Sequence, residues 1–321
     1  MATLDPELSA RSSAEQAPFV MDEGMSLGPP TLRVRRLQPV LDFYVGRLGL
    51  RPKVSVDGAS GLRTVELGFE SSPGEALLTL REDPKAKEPR SGFAGLYHYA
   101  ILVPDRRSLA STLLAVANSG VAYEGFADHQ VSEALYLHDV EMNGMEIYAD
   151  RPRGVWMDWK KIGERMAAMG DLSLFAPMSQ PLDFDSLLAE LGGGSARGKV
   201  AAFPTGARIG HMHLRVTDLK RSVDFYHEKL GLDIMMNIPR LGAAFLSAGG
   251  YHHHIGLNTW HSLGGAPREE GEAGLDEFKV IVPDEETLRA VARRLPDARA
   301  EAGSLTATDP DGIRISLVSQ A

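Results

Sequence analysis

The chain contains no cysteine, which excludes disulfides, thiolate metal sites and thiol nucleophiles together. It has no apolar run approaching the ~18 residues that a membrane-spanning helix requires. Positive charge is in short supply: 34 Lys and Arg stand against 43 Asp and Glu, a formal net charge of −9. That balance argues against nucleic acid, because neutralising phosphates takes a basic face. The opening stretch MATLDPELSARSSAEQ lacks the apolar core of a secretory signal. What remains is ordinary for a globular protein, 43% hydrophobic and 24% charged over 321 residues. That length suggests about two domains. The expectation is a cytoplasmic protein whose metal chemistry, if it has any, runs on His, Asp and Glu.

Residues 1–27 show no period and read as a mobile tail or loose strap. A repeat then begins. Thr31-Leu-Arg-Val34, Asp42-Phe-Tyr44 and Leu48-Gly-Leu50 recur as His213-Leu-Arg-Val216, Asp224-Phe-Tyr226 and Leu230-Gly-Leu232, at one constant offset of 182 positions. A second repeat lies between them. Gly95-Leu-Tyr-His-Tyr-Ala-Ile-Leu-Val-Pro-Asp105 parallels Gly274-Leu-Asp-Glu-Phe-Lys-Val-Ile-Val-Pro-Asp284, each followed by apolar residues at helical spacing. Short strands then end at Met145-Glu-Ile-Tyr148 and at Ile313-Arg-Ile-Ser-Leu317. The pattern predicts four units of strand, helix and three strands, an α+β fold. The predicted parts are a tail (1–27), a first domain (28–157), a connecting segment (158–200) with a GlyGlyGlySer linker at 192–195, and a second domain (201–321).

Paired βαβββ units of this kind resemble the vicinal oxygen chelate superfamily, which spans glyoxalase I, fosfomycin-resistance proteins and extradiol dioxygenases. Within it the chain most resembles the two-domain catechol 2,3-dioxygenase group. The motifs that carry the likeness are GLYHYAILVPDR at 95–106, DHQVSEALYLHDVEMNGMEIYADRPRGVW at 128–156, IGHMHLRVTDL at 209–219 and AAFLSAGGYHHHIGLNTW at 243–260. The resemblance implies two half-open barrels, or cups, each built from consecutive units, with a divalent metal at the base. It implies two His and one Glu as ligands, the facial set that suits Fe(II) oxygen chemistry. His98 and Glu146 match two of these positions. Pro29 stands at the third, so the N-terminal cup is expected to hold two ligands of three, to bind metal weakly, and to cleave catechol slowly or not at all.

The resemblance further implies that His129 and Tyr136 act as acid–base groups beside the metal. The family's Pro-x-Gly turn before the ligand Glu is replaced here by Val140-Glu-Met142. In the C-terminal cup, His211 holds the first ligand position and His213 shares its face, because strand side chains alternate. A subordinate metal set of His211, His254 and Glu277 can be drawn there. The rival reading is a His252-His253-His254 cluster packed against Trp260 and hydrogen-bonded between cups. His138, His227 and His261 read as turn or surface residues. Trp156, Trp159, Met166 and Met169 read as covering core. No P-loop, dinucleotide fingerprint or Gly-x-Ser-x-Gly elbow occurs.

The function expected is metal-dependent extradiol ring cleavage in aromatic compound catabolism. Fe(II) would be the metal, with Mn(II) or Zn(II) as alternatives. A small aromatic diol and dioxygen would be the substrates, and assembly of like copies is left open. The other two classes are a non-catalytic small-molecule-binding protein of the same fold and a glyoxalase-type lyase or isomerase. Pro29 is the feature that separates them.

Overall fold

The computed structural model describes residues 19–57, 62–69, 76–192, 203–301 and 303–320. Most of the N-terminal tail and the Gly193–Ser195 part of the linker lie outside them. A short strand β1 (Ser26–Leu27) leads into the first unit: β2 (Thr31–Val34), α1 (Leu37–Leu41), β3 (Arg51–Asp57), β4 (Arg63–Gly68) and β5 (Ala76–Glu82). The second comprises β6 (Gly95–Leu102), α2 (Arg106–Asn118), β7 (Gly125–Asp128), β8 (Ser132–His138) and β9 (Gly144–Asp150). Helices α3 (Trp159–Met169) and α4 (Phe184–Ala189) follow in the connecting segment. The third unit has β10 (Arg208–Arg215), α5 (Leu219–Asp224), β11 (Asp233–Ile238), β12 (Ala243–Ser247) and β13 (Ile255–Asn258). The fourth has β14 (Gly274–Val282), α6 (Glu285–Ala292), β15 (Arg299–Glu301), β16 (Ser304–Thr308) and β17 (Arg314–Ser319).

The four predicted units are therefore present, and the fold is the α+β arrangement of two cups. Their pairing differs from the expected one. One sheet runs β11-β12-β13-β10-β6-β9-β8-β7 and joins units two and three. The other runs β15-β16-β17-β14-β2-β5-β4-β3 and joins units one and four. The cups are thus not built from units one with two and three with four, as 28–157 and 201–321 would have it. First strands pair across the halves, β10 with β6 and β2 with β14, both antiparallel. The register preserves the internal repeat, since His213 faces His98 and Thr31 faces Glu277. Periodicity reports what each unit is; which unit it joins depends on strand edges too far apart in sequence to leave a local signal.

Local chemistry explains the units. The repeated Pro-Asp ends each first strand and starts a helix, because the Asp side chain caps it: Asp105 accepts from Ser108 N at 2.7 Å and Asp284 from Thr287 N at 2.8 Å. The repeated Asp-Phe-Tyr is a buried clasp. Tyr44 donates to Asp139 at 3.0 Å and Tyr226 to Asp309 at 2.9 Å, tying each unit to its sequence neighbour behind the sheets. The two halves therefore meet through strand pairing and one shared apolar core, while the clasps hold the two units of each half together.

The tail expectation is corrected where the chain is described. Met21 is 2% and Met25 4% exposed, Met21 N donates to Gly231 O, and β1 pairs with β14. Two buried methionines fasten this stretch.

Burial pushes the Asp309 carboxyl up to about 7, and the nearby Asp311 charge adds to it. Between about pH 4 and about pH 7 the folded chain keeps a proton that the unfolded chain releases, so stability falls as pH rises through that window. Urea melts should show wild type losing more stability from pH 5 to pH 8 than Asp309→Asn loses.

Candidate metal centre

Three ligand atoms converge at the base of the cup made by units two and three. His98 Nε2 and His211 Nε2 each lie 3.0 Å from Glu146 Oε2, and 3.4 Å from each other. All three residues are buried, Glu146 at 3% and His211 at 1% exposure. They are the one group of three or more His, Asp or Glu side chains so placed among the described residues. The imidazole that Pro29 does not supply, the second of the pair, comes instead from β10 of the third unit. The expectation of a two-ligand site is therefore corrected, and the cause is the crossed pairing of the units.

The same register shows why the second cup lacks such a cluster. Glu277 stands where the first cup has His98, and Ser316, beside Ile315 on β17, stands where it has Glu146. Pro29 falls between β1 and β2, at the place of His211. The subordinate set of His211, His254 and Glu277 is not brought together. Glu277 belongs to the other sheet, and His254 Nδ1 sits 3.0 Å from Ser247 Oγ while accepting from Ala248 N. The His run precedes β13 and packs differently from expectation. His253 stacks on Trp159 with ring centroids 5.9 Å apart, and it is His213 that meets Trp260. His252 Nε2 reaches Asp150 at 3.1 Å, a bond between the two halves of the chain as expected, although both residues border the one sheet of units two and three.

The cluster fits a first-row ion. Bonds of about 2.1 Å at right angles would place three donors about 3 Å apart, which is the spacing seen. Two Nε2 atoms aimed at one carboxylate oxygen, and nearly at each other, are an awkward hydrogen-bond set but a natural set of lone pairs. The electrostatics agree. Burial opposes ionisation of Glu146, but the His211 and His98 imidazoles outweigh it and hold the carboxyl well below the usual range. Burial lowers His211 to about 4, despite Glu146, and leaves it neutral at physiological pH. Neutral imidazoles and an ionised carboxylate are the protonation states that ligate metals. Gly210, just before His211, leaves space that any Cβ would take from the Tyr148 hydroxyl.

Beside the cluster, Tyr136 pairs across the strands with Glu146. His129 Nε2 lies 2.7 Å from Tyr136 Oη, and His129 Nδ1 lies 3.1 Å from Met178 O. A carbonyl can only accept, so Nδ1 carries a proton, and a neutral His129 would have Nε2 free to take the tyrosine hydrogen. Burial and the Glu146 charge push the Tyr136 hydroxyl well above its ordinary pKa and keep it protonated. Met142 takes the left-handed conformation, φ 64°, that the family turn gives to glycine. The backbone turn survives the loss of both signature residues because Asp139 accepts from the N–H groups of Glu141 and Asn143.

Cluster and pair open into a cavity of about 650 Å³. Its far wall was not read from the sequence. Trp159, Phe175 and Met178 come from the connecting segment, and Arg215 and Trp260 from the third unit. Trp159 is thus both buried and a cavity wall. His138 and His261, expected to be surface or turn residues, also line it, with His138 paired to Glu124 at 3.1 Å.

Fold and site define a vicinal-oxygen-chelate protein with one complete cluster in two cups. The chain belongs to the glyoxalase, bleomycin resistance protein and dioxygenase superfamily, whose model matches residues 26–158 and 208–317. It is 38% identical over 277 residues to a catechol-2,3-dioxygenase of Bacillus subtilis, covering 86% of this chain and 89% of that one. Two solved structures share the fold. One is a Bacillus subtilis protein described as a candidate dioxygenase (TM-score 0.59, 15% identity, 94% of this chain and 86% of that one). The other is glyoxalase I from Zea mays (TM-score 0.53, 16% identity, 92% of each chain). No helix among the described residues is long and apolar enough to cross a membrane.

Proposed function

We propose that this chain is an Fe(II)-dependent extradiol dioxygenase that opens the ring of a catechol-type diol, with His98, Glu146 and His211 holding the metal. The observation that carries the reading is the three-donor cluster with the His129–Tyr136 pair alongside it in a half-open cavity. The relative named catechol-2,3-dioxygenase supports the same activity. Bound Fe(II) would chelate both diol oxygens and leave a face open to dioxygen. The protein does the rest. With His129 neutral, Tyr136 donates its hydrogen to Nε2 and its oxygen can accept one from the diol. A diol proton moving to Tyr136 Oη, with the tyrosine proton passing to His129, balances the transfer and leaves the diol ready to bind as an anion. The apolar faces of Trp159, Phe175 and Met178 exclude water from the same space.

The test is oxygen uptake with the appearance of yellow ring-opened product, using Fe(II)-loaded protein and catechol. Wild type should show both together, and Glu146→Ala neither. Metal uptake without oxygen consumption would overturn the reading.

A further inference from the structure

Strand β10 turns His211, His213 and Arg215 to one face, and all three lie along the cup. Arg215 lines the cavity, and its Nε is buried with no hydrogen-bond partner. Several other part-buried arginines are answered by carboxylates: Arg33 by Asp83 and Asp276, Arg106 by Glu133 and Glu190, Arg151 by Asp128 and Glu133. Arg268 is answered by main-chain carbonyls. No ion pair involves Arg215 among the described residues. The two carboxylates of its cavity are engaged elsewhere, Glu146 with His98 and His211, and Glu124 with His138. The ionisable group that acts on it most is Tyr97, a phenol that burial keeps protonated. A guanidinium half-buried without a counter-charge is costly, and burial depresses its pKa accordingly.

We propose that Arg215 receives an anionic substituent of the substrate, a carboxylate borne on the ring edge away from the diol. The inference rests on the reading of the cavity as a diol site and names the class of diol. Position sets the geometry. Arg215 is four residues along the strand from His211, about 13 Å at the usual rise, so its planar fork addresses the end of a ligand remote from the metal. Bidentate pairing with a carboxylate is what that fork does well, and a half-buried wall strengthens it.

The probes are 3,4-dihydroxyphenylacetate and its neutral isostere 3,4-dihydroxyphenylacetamide. Wild type should show a kcat/KM for the acid about tenfold or more above that for the amide. Arg215→Met should bring the ratio near one, and Arg215→Lys should keep part of it. The same pair is titrated anaerobically by tryptophan fluorescence, because Trp159 and Trp260 line the cavity. Preferential binding of the acid, lost in Arg215→Met, upholds the proposal even where no ring is cleaved, and only the dioxygenase reading then fails. Equal binding of acid and amide by wild type overturns the proposal whether or not the protein turns over.

Discussion

His211→Ala is expected to strip the protein of its metal and abolish ring cleavage, although His211 lies more than sixty residues from its nearest partner in sequence. It would contribute one of three direct bonds. Removing groups that merely support a ligand already weakens metal affinity 10- to 100-fold, so loss of the ligand itself should weaken it by more than about 100-fold. Iron content after dialysis, read beside oxygen uptake, measures both effects. The companion variant is Pro29→His. On the sequence alone it looks like a repair; in the structure it places an imidazole just before β2 of the other sheet, where the equivalent ligand positions hold Glu277 and Ser316. It should leave iron content and rate unchanged. An increase in either would return the site to a cup made of units one and two.

Tyr136→Phe should retain the metal and lose the chemistry. The phenol is protonated throughout the neutral range and, on the proposed route, its oxygen would pass the diol proton to His129, so its removal should lower kcat by about 100-fold or more with a smaller effect on KM. His129→Ala should act in the same direction, and the double variant should be little worse than the worse single one, because the two groups form one path. Stopped-flow turnover of iron-loaded variants measures this. Loss of iron in Tyr136→Phe would make the tyrosine a ligand rather than a proton carrier.

The units themselves were legible in the sequence. Strand alternation, Asp caps at 105 and 284, and the Asp-Phe-Tyr clasps are local devices, and each left a local mark. His98, Glu146, His129 and Tyr136 were legible for the same reason: one unit carries all four at fixed spacing, and the structure brings them together. His211 was seen as a residue suited to a ligand's place and assigned to the wrong cup. Its partners depend on β10 pairing with β6, a contact between halves that no periodicity records. Arg215 was missed although it obeys the two-residue alternation from His211 and His213. What sets it apart is the lack of a partner, and that becomes visible only when every neighbouring carboxylate has been placed. The wall from the connecting segment was missed for a similar reason, since Trp159 and Met178 have the composition of any core.

The claim on which the rest depends is a single metal centre shared between the second and third units. Anomalous diffraction at the iron edge, on crystals loaded anaerobically with Fe(II), tests it most directly. One peak is expected per chain, about 2.0–2.3 Å from His98 Nε2, Glu146 Oε2 and His211 Nε2. A peak beside Pro29 or Glu277 in the other cup, or one near His98 and Glu146 that His211 does not touch, would contradict it.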